Sequence, residues 1–353
     1  MTSWLNAPFR IQFRVIDGLT VRFAQSGPAQ SGPGHALLLS PWPESLLAFE
    51  PVWSPLAEHA RLVAMDLPGF GRSQHRDTLL SPRAMSEFII AAADAFGLEH
   101  PHLVAPGTGT PAALFAAARH PGRLRSLVVG SGAAAIPLLG GPLRGWIEAP
   151  DLEAFRRADP RQLVTDALAS MKRSVTPEAV LEDYVASYQG NRLAESMRYL
   201  RAYPADLPVL AHLLPQIRTP VRIIAGAYDT TVPVANAEFM AERLPGSRLD
   251  VLEAGHFTWE DAADEYAALV TSWWSGTTGS PADVAGHVVQ EEQYPLTTPR
   301  PEGRGFQPSP AGVPVSPPTA PGRTRNVLHQ LRRHRPGSPG LRHDLPPGCS
   351  SRR

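Results

Sequence analysis

The chain has 353 residues, enough for two domains of about 150 residues or for one large domain with additions. Lys+Arg number 33 and Asp+Glu 33, so no chain-wide charge points to nucleic acid or to an anionic membrane as a partner, and the apolar content of 43% is that of an ordinary globular chain. No apolar run nears the roughly 18 residues of a membrane span. The first residues also lack a basic region followed by an apolar stretch, which argues against a secretory signal. The single cysteine, Cys349, excludes an intrachain disulfide and any multi-cysteine metal site. The expectation is a cytoplasmic protein that uses no metal or other cofactor; the oligomeric state stays open.

Charge is unevenly spread. Residues 276–353 hold ten arginines, five acids and fourteen of the 38 prolines, so this stretch is +5 and the remainder −5. It shows no apolar periodicity, and a run such as 308–321 cannot build a core. Composition of this kind predicts a disordered extension. Its densest basic cluster, Leu331 to Pro336, has no interleaved aromatics, which favours a solvated extension over a nucleic-acid arm.

Residues 1–275 alternate strands and helices. Ile11–Ile16 and Leu19–Phe23 read as paired strands around a turn at Asp17-Gly18. Ala36–Leu39 is continuously apolar, the pattern of a strand covered on both faces. A helix over Leu46–His59, a strand over Arg61–Met65, a helix over Pro82–Phe96 and a strand over His102–Ala105 follow. Next come a helix over Pro111–His120 and a strand over Leu124–Val129. After a break come strand Val221–Ala225, helix Ala235–Leu244, strand Arg248–Leu252 and helix Asp261–Trp274. This order predicts an α/β fold, a mostly parallel sheet flanked by helices. The break, 134–216, is helical in pattern. Thr176 reads as a cap with Pro177 at the first helical position, and Pro204 and Pro208 as helix breakers. The expected domains are a core of 1–133 and 217–275, a helical cap of 134–216, and a tail of 276–353.

Ligands of open α/β sheets bind at the carboxyl ends of the strands. Those ends carry Asp66-Leu-Pro-Gly-Phe-Gly-Arg-Ser73, Pro106-Gly-Thr-Gly-Thr-Pro111, Gly226-Ala-Tyr-Asp229 and Ala254-Gly-His256. With the stretch from His120 to Val129, these motifs resemble the α/β-hydrolase superfamily, in particular the cap-bearing branch that includes epoxide hydrolases and haloalkane dehalogenases. The resemblance covers about residues 10–275 and implies hydrolysis of an ester, epoxide or halide. It places Asp229 as the triad acid and His256 as the base. The chemistry is coherent: the carboxylate holds one imidazole tautomer and stabilises its protonated form, and the imidazole deprotonates a nucleophile or a water.

The third member is missing. The family's strand–helix turn reads Gly-x-nucleophile-x-Gly. Counted back from His120-Pro121, it falls on Ala105-Pro-Gly107-Thr-Gly109, so Gly107 occupies the nucleophile position. Glycine has no side chain with which to form a covalent intermediate. The N-myc downstream-regulated proteins resemble this chain in that respect. Thr108 and Thr110 are the hydroxyls beside the turn, and Ser131, in Gly130-Ser-Gly132 after the sixth strand, is a third expected at the same cavity. The family's His-Gly-x-Pro is here Ser40-Pro41-Trp42-Pro43, leaving the Trp42 and Thr108 amides as two donors for an oxyanion and the Trp42 indole as a possible pocket wall. Cap tyrosines Tyr184, Tyr188, Tyr199 and Tyr203 are candidates to polarise a leaving oxygen, or else they pack between helices. Gly107-Thr-Gly109-Thr-Pro-Ala112 also spells G-x-G-x-x-A, but no acid follows the next strand to hold a ribose. Two expectations result. One is a small-molecule-binding member of the fold with impaired or absent covalent chemistry. The alternative is an active hydrolase in which His256 and Asp229 activate water or a nearby Thr or Ser.

Overall fold

The computed structural model describes residues 9–27 and 34–276. The expected tail at 276–353, with its basic cluster and Cys349, lies outside the described residues apart from Gly276, which closes the last helix. The eight strands are β1 (Ile11–Ile16), β2 (Leu19–Gln25), β3 (His35–Leu39), β4 (Arg61–Met65), β5 (His102–Pro106), β6 (Ser126–Gly130), β7 (Val221–Gly226) and β8 (Arg248–Leu252). They form one sheet in the order β1-β2-β4-β3-β5-β6-β7-β8. β1 and β2 pair antiparallel, β2 meets β4 antiparallel, and every later pairing is parallel. β3 and β5, apolar after an opening histidine in each, sit at the centre and are buried along nearly their whole length, as covered parallel strands must be.

Five helices outside the insert flank the sheet: α1 (Glu50–Ala57), α2 (Pro82–Ala95), α3 (Gly109–Arg119), α10 (Val234–Ala241) and α12 (Ala263–Gly276). A short α11 (Thr258–Asp261) precedes the last of them. Between β6 and β7 come six helices: α4 (Gly141–Glu148), α5 (Glu153–Arg157), α6 (Pro160–Leu168), α7 (Glu178–Ser187), α8 (Arg192–Arg201) and α9 (Tyr203–Leu213). They are the helical cap. Among the described residues no helix is long and apolar enough to cross a membrane.

Several boundaries moved for physical reasons. The expected helix over 46–59 is a 3-10 turn at Leu46–Phe49 followed by α1, because the Ser45 hydroxyl caps the turn while Pro51 opens the helix. Thr176 is no helix cap. Pro177 precedes α7, and the Thr176 hydroxyl instead donates to Glu260 Oε2 at 3.0 Å. Pro204 starts α9 rather than ending a helix, and Pro208 lies inside α9 without breaking it. Pro204 sits in the first turn, where an N–H has no intrahelical partner to lose, whereas Pro208 lies past that turn and forfeits the bond to the Pro204 carbonyl in a helix that nonetheless runs on to Leu213.

The cap is fastened to the core by polar contacts that residue spacing does not reveal. Asp183 of α7 takes two hydrogen bonds from the buried Arg22 of β2, at 2.9 Å each, and one from Ser45 at 2.7 Å. Arg192 of α8 donates to the carbonyls of Gly71 and Ser73. Asp66, at the end of β4, accepts from the Leu46 and Arg72 amides. Burial pushes its carboxyl up to about 6, against the pull of Arg22 and those amides.

Candidate active site

β7 and β8 end side by side, and their loops deliver the acid and the base. Ala227 N donates to Leu252 O and Tyr228 N to Ala254 O, which fixes one loop on the other. Asp229 is buried. Its Oδ1 accepts the amides of Thr231 and Val232, each at 2.8 Å, leaving Oδ2 to meet His256 Nδ1 at 2.7 Å. An Asp hydrogen-bonded this way is positioned before the imidazole arrives, and it selects the tautomer with the proton on Nδ1. Nε2 is then the lone-pair nitrogen, and among the described residues it has no hydrogen-bond partner. Phe257 and Trp259 pack edge-on against the ring.

The histidine loop has a second anchor. Asp261 accepts the Gly255 amide at 2.7 Å and the amides of Lys172, Arg173 and Ser174 from the cap. Burial pushes this carboxyl up, but the four amides outweigh it and hold it below the usual range. Beneath Trp259 lies a second acidic feature. Glu44 and Glu260 are both buried, and burial followed by mutual repulsion pushes Glu44 well up; Glu260 is raised chiefly by burial. Glu44 Oε2 has no donor, whereas Tyr184 and Thr176 donate to Glu260.

The elbow between β5 and α3 keeps its backbone. Gly107 has φ +57°, the left-handed region that such a turn requires. A Cβ built on it would stand 3.3 Å from Pro41 Cβ and 3.8 Å from Trp259 Cη2, tight but open toward the cavity. Gly107 N donates to Gly130 O at 2.9 Å. The Thr110 hydroxyl donates to Ala105 O at 2.9 Å and accepts Gly130 N–H at 3.1 Å, so it is committed to holding the turn and is not available to react.

Gly107, Thr108, Ser131, Trp42 and His256 line one cavity of about 590 Å³, and Asp229 stands behind His256. The sequence-predicted site residues are thus brought together. Thr108 Oγ1 and Ser131 Oγ are both buried, and neither has a hydrogen-bond partner, so neither hydroxyl is bonded to the imidazole. The Trp42 and Thr108 amides take part in none of the hydrogen bonds among the described residues and remain free to meet an anion. Trp42 is both wall and packed ring. It lines the cavity, donates its indole N–H to Ser196 Oγ at 3.0 Å, and packs edge-on against Trp146 and Tyr188.

Three of the four cap tyrosines are structural: Tyr184 bonds Glu260, Tyr188 bonds Glu44 O, and Tyr199 bonds Thr108 O. Only Tyr203 lines the cavity. Sequence reasoning missed α6 as a wall, although its signal was present. Asp159, Gln162, Leu163, Asp166, Ala167 and Ser170 recur at three- and four-residue intervals on one helical face, and all line the cavity. Among the described residues no group of three His, Cys, Asp or Glu side chains is placed to hold a metal ion.

Comparison with known proteins bears on the family and the fold. Residues 36–263 match the family described as the alpha/beta hydrolase fold. A 2-hydroxymuconate semialdehyde hydrolase of Pseudomonas putida is 29% identical over 229 residues, covering 60% of this chain and 76% of that protein. The solved haloalkane dehalogenase of Agrobacterium tumefaciens C58 superposes with a TM-score of 0.65 at 19% identity, over 76% of this chain and 97% of its own. An epoxide hydrolase of Vigna radiata gives 0.62 at 15% identity, over 76% and 98%. At these identities the two structures share the fold with this chain and nothing narrower.

Proposed function

This chain belongs to the α/β-hydrolase fold family, and on that premise we propose that it binds a small molecule in the cavity above His256 while lacking the family's covalent route. One observation carries the reading: the turn that should present the attacking atom has its full geometry, but Gly107 supplies no side chain there, and no neighbouring hydroxyl is bonded to the imidazole. Loss of an attacking group costs several orders of magnitude in rate.

The site as built supports one residual reaction, and the free Nε2 of His256 favours it. A water in the space beside Gly107 gives its proton to Nε2, and its oxygen bonds to the carbonyl carbon of an ester. The developing oxyanion is met by the Trp42 and Thr108 amides, and Asp229 stabilises the imidazolium. Collapse breaks the C–O bond, and the alkoxide takes the proton back from Nε2. Atoms and charge balance with water as the only co-reactant.

The test is turnover of esters, epoxides and haloalkanes by the wild-type chain and by His256→Ala. Turnover no more than about 10³–10⁴-fold above the buffer rate, and no adduct on the protein, is the expected result. Robust turnover abolished by His256→Ala overturns the reading. A companion experiment installs an attacking carboxylate with Gly107→Asp and blocks its release with His256→Ala. Displacement of halide from a bromoalkane then leaves an alkyl ester on the protein, seen as an intact-mass increase.

A further inference from the structure

The cavity has a sharply divided lining. Its depth is apolar, walled by Trp42, Trp146, Leu200, Val232 and Phe257. Its rim is acidic. Asp159 and Asp166, both exposed, stand on the cavity-facing stripe of α6. Asp159 caps α6 by accepting the Arg161 amide at 2.9 Å, and Asp166 accepts from Gln162 Nε2 at 2.7 Å. Among the lining residues there is no Lys and no Arg, and the one His is already committed to Asp229.

We propose that this cavity selects its ligand by sign of charge. It takes a small molecule with an apolar body whose end remote from the reacting carbon is uncharged or cationic, and it rejects one whose far end is an anion. The inference rests on the ligand-cavity reading above. An anion at the inner end has the Trp42 and Thr108 amides to meet, but a carboxylate at the outer end finds two carboxylates and no cation among the lining residues, the nearby Arg161 being paired with Glu178 and Glu182. Unpaired charge in an apolar lining is strongly disfavoured. Repulsion from two rim carboxylates adds to this within the screening length of about 8–10 Å at ordinary salt. The two buried hydroxyls without partners, Thr108 Oγ1 and Ser131 Oγ, mark the inner end as the place where a polar, uncharged group of the ligand is received.

The experiment uses the full chain and three matched 4-nitroanilides that differ only at the far end: the hexanoyl, the 6-aminohexanoyl and the mono-adipoyl derivatives. The nitroaryl group quenches Trp42 and Trp146, so binding is read by tryptophan fluorescence. The neutral and cationic probes should bind within about threefold of each other and the anionic probe at least tenfold more weakly, the gap narrowing with added salt. In Asp159→Asn/Asp166→Asn, which keeps the helix cap, the ratio of anionic to neutral Kd should fall at least fivefold. An anionic probe that binds as well as the neutral one overturns the charge selection and leaves the cavity reading standing. Failure of all three probes to bind overturns the cavity reading, and the charge selection with it.

Discussion

The acid–base half of the site and the elbow half are built alike. In each, the carboxyl end of a parallel strand feeds a tight loop pinned by backbone hydrogen bonds. In the first half the pinning presents a side chain: the Thr231 and Val232 amides occupy Asp229 Oδ1 so that Oδ2 faces His256. In the second the pinning survives without its product: Gly107 keeps φ +57°, and Thr110 still ties Ala105 O to Gly130 N. The fold therefore depends on the elbow's backbone, while attack depends on a side chain that the backbone does not need.

The largest expected effect sharpens that contrast by restoring the missing atom. In a Gly107→Ser background, where the new side chain must be carried at φ +57° with its Cβ 3.3 Å from Pro41, ester turnover should rise well above the wild-type chain. Asp229→Asn added to it should lower kcat by about 10³–10⁴, because the wrong imidazole tautomer would face the new hydroxyl. Steady-state kinetics on a 4-nitrophenyl ester decides. If Gly107→Ser shows no gain, the elbow half has been altered beyond one side chain.

Next in size is Thr110→Val. It removes the hydroxyl from a fully buried position and strands Ala105 O and Gly130 N, at a cost of about 2–3 kcal/mol. Urea unfolding should show it. A change under about 0.5 kcal/mol would mean that Gly130 O alone holds the turn.

On the acid–base side, Asp261→Asn should cost about 2 kcal/mol at neutral pH, since a carboxylate accepting four amides becomes a neutral amide. The folded-state pKa of Asp261 is depressed. Its stabilisation is therefore complete above the unfolded carboxyl value of about 3.9 and fades as pH falls through the lower folded value. The stability gap between wild type and variant should close below pH 4 or thereabouts. A gap that is constant down to acid would assign the loss to packing.

How much of this was legible depends on the range of each interaction. All eight strands, the insert after the sixth, and the glycine at the elbow could be read because burial, periodicity and turn chemistry are local. The pairing of Asp229 with His256 was readable because each follows a strand end and adjacent strands bring such ends together. What stayed hidden joins distant segments. Arg22 meets Asp183 across 161 residues, and Trp259 meets Glu44 across 215. No local pattern marks Tyr199 as a tether and Tyr203 as a cavity wall, because both are buried aromatics on neighbouring turns. Pro208 misled because the helix tolerates the one ladder bond it forfeits, with Leu207 and Leu210 on either side of it buried in the core.

The smallest expected effect falls on the seam between cap and elbow. Tyr199 OH donates to Thr108 O at 2.9 Å while its ring stays packed on Phe70 and Tyr203. Tyr199→Phe keeps the packing and removes one neutral hydrogen bond, so thermal unfolding should report a loss of about 1 kcal/mol. Its effect on the Gly107→Ser enzyme separates two views of the elbow. If the turn is held from within, by Thr110 and Gly130, kcat should fall less than about threefold, because the Thr108 amide keeps its direction without the cap. A fall of about tenfold or more would show that the cap aims the oxyanion donors, and the elbow half would then be a property of two structural layers rather than of one loop.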